Sequence, residues 1–139
     1  MKKLISQLKK EHELILSMMR DVKRLGIHTE AGAKKFIQTR YLLISHLNRE
    51  DKQLYPPLFA QANNDRKLKL LLLELTAEIK NLTSRTLIFF DKYADISDID
   101  EHFAAEAEKI FTDIKTRIEK EENSLYEEFK KLTTNRVSL

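Results

Sequence analysis

His46 and Glu50 stand four residues apart in "HLNREDKQLYP" (46–56). A second segment, "RIEKEENSLY" (117–126), repeats the layout, with Arg117 in the place of His46 and Glu121 in the place of Glu50. Residues four apart on a helix share a face, so each segment presents two polar groups in one direction. Imidazole and carboxylate side chains on facing helices are the materials of metal sites in helical bundles. Two imidazoles and one or two carboxylates suffice for a single Zn²⁺ or Fe²⁺ ion. Arg117 points the other way, because a guanidinium stays charged and a fixed cation repels a dication. It could instead lie between Glu50 and Glu121 and bond both, making a layer that holds no metal. The residues leave both arrangements open. Tyr55 and Tyr126 follow the two carboxylates at equivalent places, where a hydroxyl could touch the layer, although packing alone would also account for them.

Four helices must position these groups. Apolar residues recur at helical spacing over residues 4–25, 31–60, 66–93 and 97–132. Thr29 and Asp65 stand where N-caps belong, and Pro56-Pro57 should kink the second helix or end its regular part. Short connections predict neighbours that run antiparallel, an all-α, up-down-up-down four-helix bundle formed by residues 1–139 as one domain. Counting along the helices from the turns puts His12, His46, Glu50, Thr76, Arg117 and Glu121 within one helical turn of a common level. His28 belongs to a turn, and His102 lies about 22 Å from Arg117 along the helix axis, so neither joins that level. A polar layer inside an apolar seam is costly unless every member is paired.

Composition narrows the remaining classes. Two glycines and two prolines in 139 residues leave little turn chemistry for a β fold. The net charge of +3 is not gathered into a stripe: lysine pairs at 2–3, 9–10, 34–35 and 130–131 have acidic neighbours, which argues against nucleic acid. With no cysteine there is no disulfide, thiol nucleophile or iron–sulfur ligand. The start "MKKLISQLKK" breaks too soon for a signal peptide, and "LKLLLLEL" and "TLIFF" are too short to span a membrane. These readings predict a soluble, cytoplasmic protein without a nucleic-acid or membrane partner. There is no phosphate-cradling glycine loop and no Ser–His–Asp arrangement, so an enzyme is not expected. The phenylalanines, Met18 and Met19 read as core packing. "LLLL" (70–73) reads equally as thick core or as a dimer surface, and a monomer and a homodimer both remain open.

"EHELI" (11–15), "HLNREDKQLYP" (46–56), "TAEIKNL" (76–82) and "RIEKEENSLY" (117–126) together make the chain resemble the hemerythrin-like, or HHE cation-binding, family over most of its length. The resemblance implies a four-helix bundle in which five histidines and two carboxylates hold a non-haem di-iron centre that binds or senses dioxygen. His12, His46, Glu50 and Glu121 match ligand positions of that pattern, and the third and fourth helices depart from it with Thr76 and Arg117. The implied role is a sensing or regulatory module with an incomplete site, holding one iron or zinc ion or none. The chain is also similar to bacterial regulators that sequester the housekeeping sigma factor, through Thr76 and "RIEKEE" (117–122). That likeness implies a metal-free bundle with a transcription factor as its protein partner. The echo of "HELI" in "TAEI" and of 46–55 in 117–126 is what duplication of a helical hairpin would leave.

Overall fold

The computed structural model describes residues 2–138; Met1 and Leu139, at the ends of the expected domain, lie outside the described residues. The chain forms four helical rods, and no strand occurs among the described residues. The first rod is α1 (Lys2–Leu25). The second joins α2 (Glu30–Arg49) and α3 (Tyr55–Ala62) through a wide π-helical turn, Glu50–Leu54. The third is α4 (Arg66–Lys92), and the fourth joins α5 (Phe103–Lys120) and α6 (Tyr126–Ser138) through a second π-turn, Glu121–Leu125.

The rods start where the sequence provides a cap. Thr29 accepts from the amide of Gly32 at 2.9 Å, and Asp65 accepts from the amide of Leu68 at 3.1 Å, satisfying N–H groups that a helix start leaves open. The first turn requires both glycines: Gly26 has φ +83°, and a Cβ on Gly32 would come within 1.8 Å of the Gly26 carbonyl oxygen. The fourth rod begins at Phe103, six residues later than its apolar spacing suggests. Asp95 and Asp100 accept from the amides of Ser97 and His102, and these local bonds hold 95–102 as a turn with a short 3₁₀ segment, Ile96–Asp98.

Pro56 and Pro57 do not end the second helix. They fall in the first turn of α3, directly after the π-turn, where a missing N–H costs least. Proline is not what widens the turn, since Glu121–Leu125 is equally wide without one. In each π-turn the amide of the tyrosine, Tyr55 or Tyr126, donates to the carbonyl of the glutamate five residues earlier, Glu50 or Glu121. π-turns inside α-helices are frequently found at functional sites.

Two apolar clusters fill the interior. One gathers Ile15, Met19, Val22, Phe36, Leu43, Phe89, Phe90, Tyr93, Phe103, Ile110, Ile114 and Ile118, with Phe36 against the rings of Phe89, Phe90 and Phe103. The other gathers Ile5, Leu8, Leu54, Leu58, Leu68, Leu72, Leu75, Ile79, Leu125 and Phe129. Their order alternates along the chain: the Leu8 cluster comes first in the first and third rods, and second in the second and fourth. Of the four leucines at 70–73, Leu72 is fully buried and Leu70 and Leu73 are about half exposed, so the run is part core and part surface. Where one cluster gives way to the other, at His12, His46 with Glu50, and Glu121, the interior turns polar.

Candidate metal centre

Each of the four polar side chains at the junction reaches it by the helical register that buries its apolar neighbours. His12 lies between Leu8 and Ile15 on α1, His46 follows Leu43 on α2, and Glu50 and Glu121 open the two π-turns. None is more than 3% exposed. One donor atom from each lies within 4.8 Å of every other.

The outward ring nitrogens are tied down. His12 Nδ1 donates to Glu122 Oε2 at 3.0 Å, and His46 Nδ1 donates to Glu11 Oε1 at 2.8 Å. Arg49 Nε also donates to Glu11, at 3.1 Å, and holds that carboxylate in place. With the Nδ1 protons committed, both Nε2 atoms face inward. A histidine whose second nitrogen donates to a carboxylate is the usual form of a metal-ligating imidazole. Inside the cluster, His12 Nε2 lies 3.8 Å from Glu121 Oε1, and His46 Nε2 lies 3.1 Å from Glu50 Oε1. A tetrahedral ion with bonds of about 2.0–2.2 Å separates its donors by about 3.3–3.6 Å, between those two distances.

The His46–Glu50 contact is the most informative. At 3.1 Å the atoms are close enough for charge attraction, yet the ring N–H direction does not meet the oxygen, and both atoms are buried without a hydrogen-bond partner. Two inward donors that do not bond each other suit an ion between them better than a proton. The tyrosines close the layer crosswise. Tyr126 donates to Glu50 at 2.9 Å and Tyr55 donates to Glu121 at 3.3 Å, so the tyrosine of each segment serves the carboxylate of the other. The Tyr126 hydroxyl also lies 3.0 Å from His12 Nε2.

Protonation follows from burial and from this pairing. Burial and the charge of the adjacent Glu50 raise the Glu121 carboxyl well above the ordinary range, which favours its protonated form. Burial also works against ionisation of Glu50, but the adjacent Glu121 and His46 groups and the Tyr126 hydroxyl outweigh it and hold Glu50 at about 2. Burial and the neighbouring His46 charge lower His12, which is therefore neutral. His46 moves up, since Glu50 and Glu11 more than offset its burial.

Arg117 does not lie between the carboxylates. Its Nη2 donates to Glu78 on α4, while Nε and Nη1 are buried without partners. Thr76 turns its hydroxyl to the Leu72 carbonyl of its own helix and supplies nothing to the layer. His28 and His102 are exposed. Glu11, Glu122 and Glu78 were not singled out from the sequence. The signal for the first two was their position next to His12 and Glu121, where an acidic residue one place along turns to the outer side of the same level. Among the described residues no other His, Asp and Glu side chains converge in this way, and no helix is long and apolar enough to cross a membrane. No protein-family model, curated protein or solved structure matches the chain.

Proposed function

We propose that the chain is a non-enzymatic, hemerythrin-like domain, an antiparallel up-down-up-down bundle that binds one divalent cation, Zn²⁺ or Fe²⁺, and serves as a sensing or regulatory module. The alternating order of the two apolar clusters along successive rods supports the antiparallel arrangement. The observation that carries the metal reading is the buried pair His46 Nε2 and Glu50 Oε1, 3.1 Å apart and bonded to nothing. His12, His46, Glu50 and Glu121 would be the ligands. The cation would supply a charge that both carboxylates can share and an affinity that depends on its oxidation state or availability.

The chain's own side chains do the rest. Glu11 and Glu122 accept the Nδ1 protons and so aim both Nε2 atoms inward. Tyr55 and Tyr126 orient the carboxylates and seal the layer against the Leu54–Leu125 cluster. A di-iron centre does not fit these residues: the third rod offers no ligand, and Arg117 takes a fourth-rod place. The test is elemental analysis of protein expressed with added iron and zinc. About one equivalent is expected, lost on His46→Ala. A wild-type value near zero, with no thermal shift on adding either ion, overturns the reading.

A metal-free bundle that regulates by binding a protein partner, such as a transcription factor, is the second reading. Its support is a set of surface apolar groups, Tyr41 at 68% and Ile88 at 67% exposure. These lie on helices that the Arg40–Asp91 ion pair draws together.

A further inference from the structure

On the outward face that α2 and α4 share, Tyr41 and Ile88 are exposed, as is Ile37 one turn before Tyr41. A groove continues from them between the two helices, past Ile44 and Leu87 to Asp51 and Lys80. Four charges mark the corners of this face. Arg40 and Asp91 stand at one end, 2.6 Å apart, and Asp51 and Lys80 stand at the other. Arg40 precedes Asp51 by eleven residues, and Lys80 precedes Asp91 by eleven, so each pair lies on one side of its helix about 16 Å apart. Between the corners the face carries Tyr41, Ile44, Asn48, Ser84, Leu87 and Ile88, none of them charged. Arg40 and Asp91 bond each other, whereas neither Asp51 nor Lys80 makes an ion pair among the described residues.

Signs alternate around the four corners, and that pattern complements itself. The two patches of a two-fold dimer are the same patch, so each residue must suit the one that rotation brings to it. About an axis parallel to the helices, α2 of a second copy comes over α4 of the first at the same level. Arg40 then faces Asp91 of the second copy, and Asp51 faces Lys80 of the second copy. An axis across the helices also matches the charges, but it sets the apolar end, Ile37, Tyr41 and Ile88, against the polar end, Asn48, Thr83 and Ser84. Only the axis parallel to the helices matches charge and apolar surface together. We infer that the chain forms a symmetric dimer through the α2–α4 face, with Tyr41 of each copy packed on Ile88 of the other and Asp51 of each paired with Lys80 of the other. Two helix faces of this length make an interface at the small end of the specific range, so the dimer has micromolar affinity. It needs no metal at the buried centre, and it gives to a second copy the face that the second reading above gives to another protein.

The experiment is sedimentation equilibrium of the whole protein over about 1–200 μM, a range that brackets a micromolar dissociation constant. A monomer–dimer equilibrium is expected. Ile88→Lys, at an exposed position, should weaken the dimer about tenfold or more while leaving the circular dichroism and thermal midpoint unchanged. Lys80→Glu sets two acidic corners against each other and should also weaken it about tenfold or more. Adding Asp51→Lys to Lys80→Glu exchanges the pair and should restore the dimer; about an axis across the helices the same exchange would bring like charges together. A chain that stays monomeric throughout the range overturns the proposal, including where another protein binds the face. A dimer that Ile88→Lys leaves intact uses a different surface and overturns it too, as does a double exchange that fails to restore association. None of these outcomes bears on the metal reading, which elemental analysis tests separately.

Discussion

Cation uptake should release protons. Two of the four candidate ligands are shifted toward their protonated forms, whose proton a metal must displace: Glu121, by burial and the charge of Glu50, and His46, by Glu50 and Glu11 despite its burial. Glu50 is already ionised, and neutral His12 carries its one proton on Nδ1, donated to Glu122. Binding one Zn²⁺ therefore releases about two protons wherever both raised groups are still protonated. A group with a raised pKa keeps its proton to higher pH, so metal affinity climbs with pH until that pKa is passed. In the window where both are protonated, affinity rises about a hundredfold per pH unit, then about tenfold, then levels off. Calorimetry in buffers of different ionisation enthalpy, or an indicator dye in weak buffer, counts the protons directly. One-to-one binding with no proton release, or an affinity independent of pH from 5 to 8, would refute the reasoning, because neither agrees with displacement from His46 and Glu121.

Other side chains give separate tests. Glu121→Gln keeps a neutral group next to Glu50 but cannot become an anionic ligand, so zinc affinity should fall by tenfold or more, read by competition with a chelator. In the metal-free wild type, the stability due to protonated Glu121 is complete below its ordinary value of 4.5 and is lost as pH rises through its raised pKa. That loss amounts to about 1.4 kcal/mol per pH unit in the window, and denaturant titrations of Glu121→Gln should lack it. Glu11→Ala frees the His46 ring and should cost about 10–100-fold in metal affinity while leaving the fold intact by circular dichroism. Tyr126→Phe takes a donor from buried Glu50 and should destabilise the metal-free protein by about 1–3 kcal/mol; a loss under about 0.5 kcal/mol in urea would mean the bond is not made.

Much of the fold was legible because helical periodicity and capping are local. Thr29 and Asp65 cap as their places in the sequence suggested, and His12, His46, Glu50 and Glu121 converge as counting along the rods predicted. The late start of the fourth rod was missed because the apolar spacing runs on through residues whose aspartates bond their own backbone instead. The two π-turns left no trace in the periodicity either. They become visible only as the matched pair of Glu-to-Tyr segments around a common centre.

The amino-acid sequence thus determined which residues could meet and at what level, since both follow from 3.6 residues per turn and the length of each rod. Which partner each side chain takes was decided by the tertiary structure. Arg117 bonds Glu78, not the two glutamates it could have bridged, because α4 brings a half-exposed carboxylate to its tip. Glu11 and Glu122 acquire their role because helix packing sets them against the outer edges of two imidazole rings. A sequence fixes the direction of a side chain to within a helix face, whereas a hydrogen bond selects among atoms a few ångströms apart, and only the packed helices set those distances.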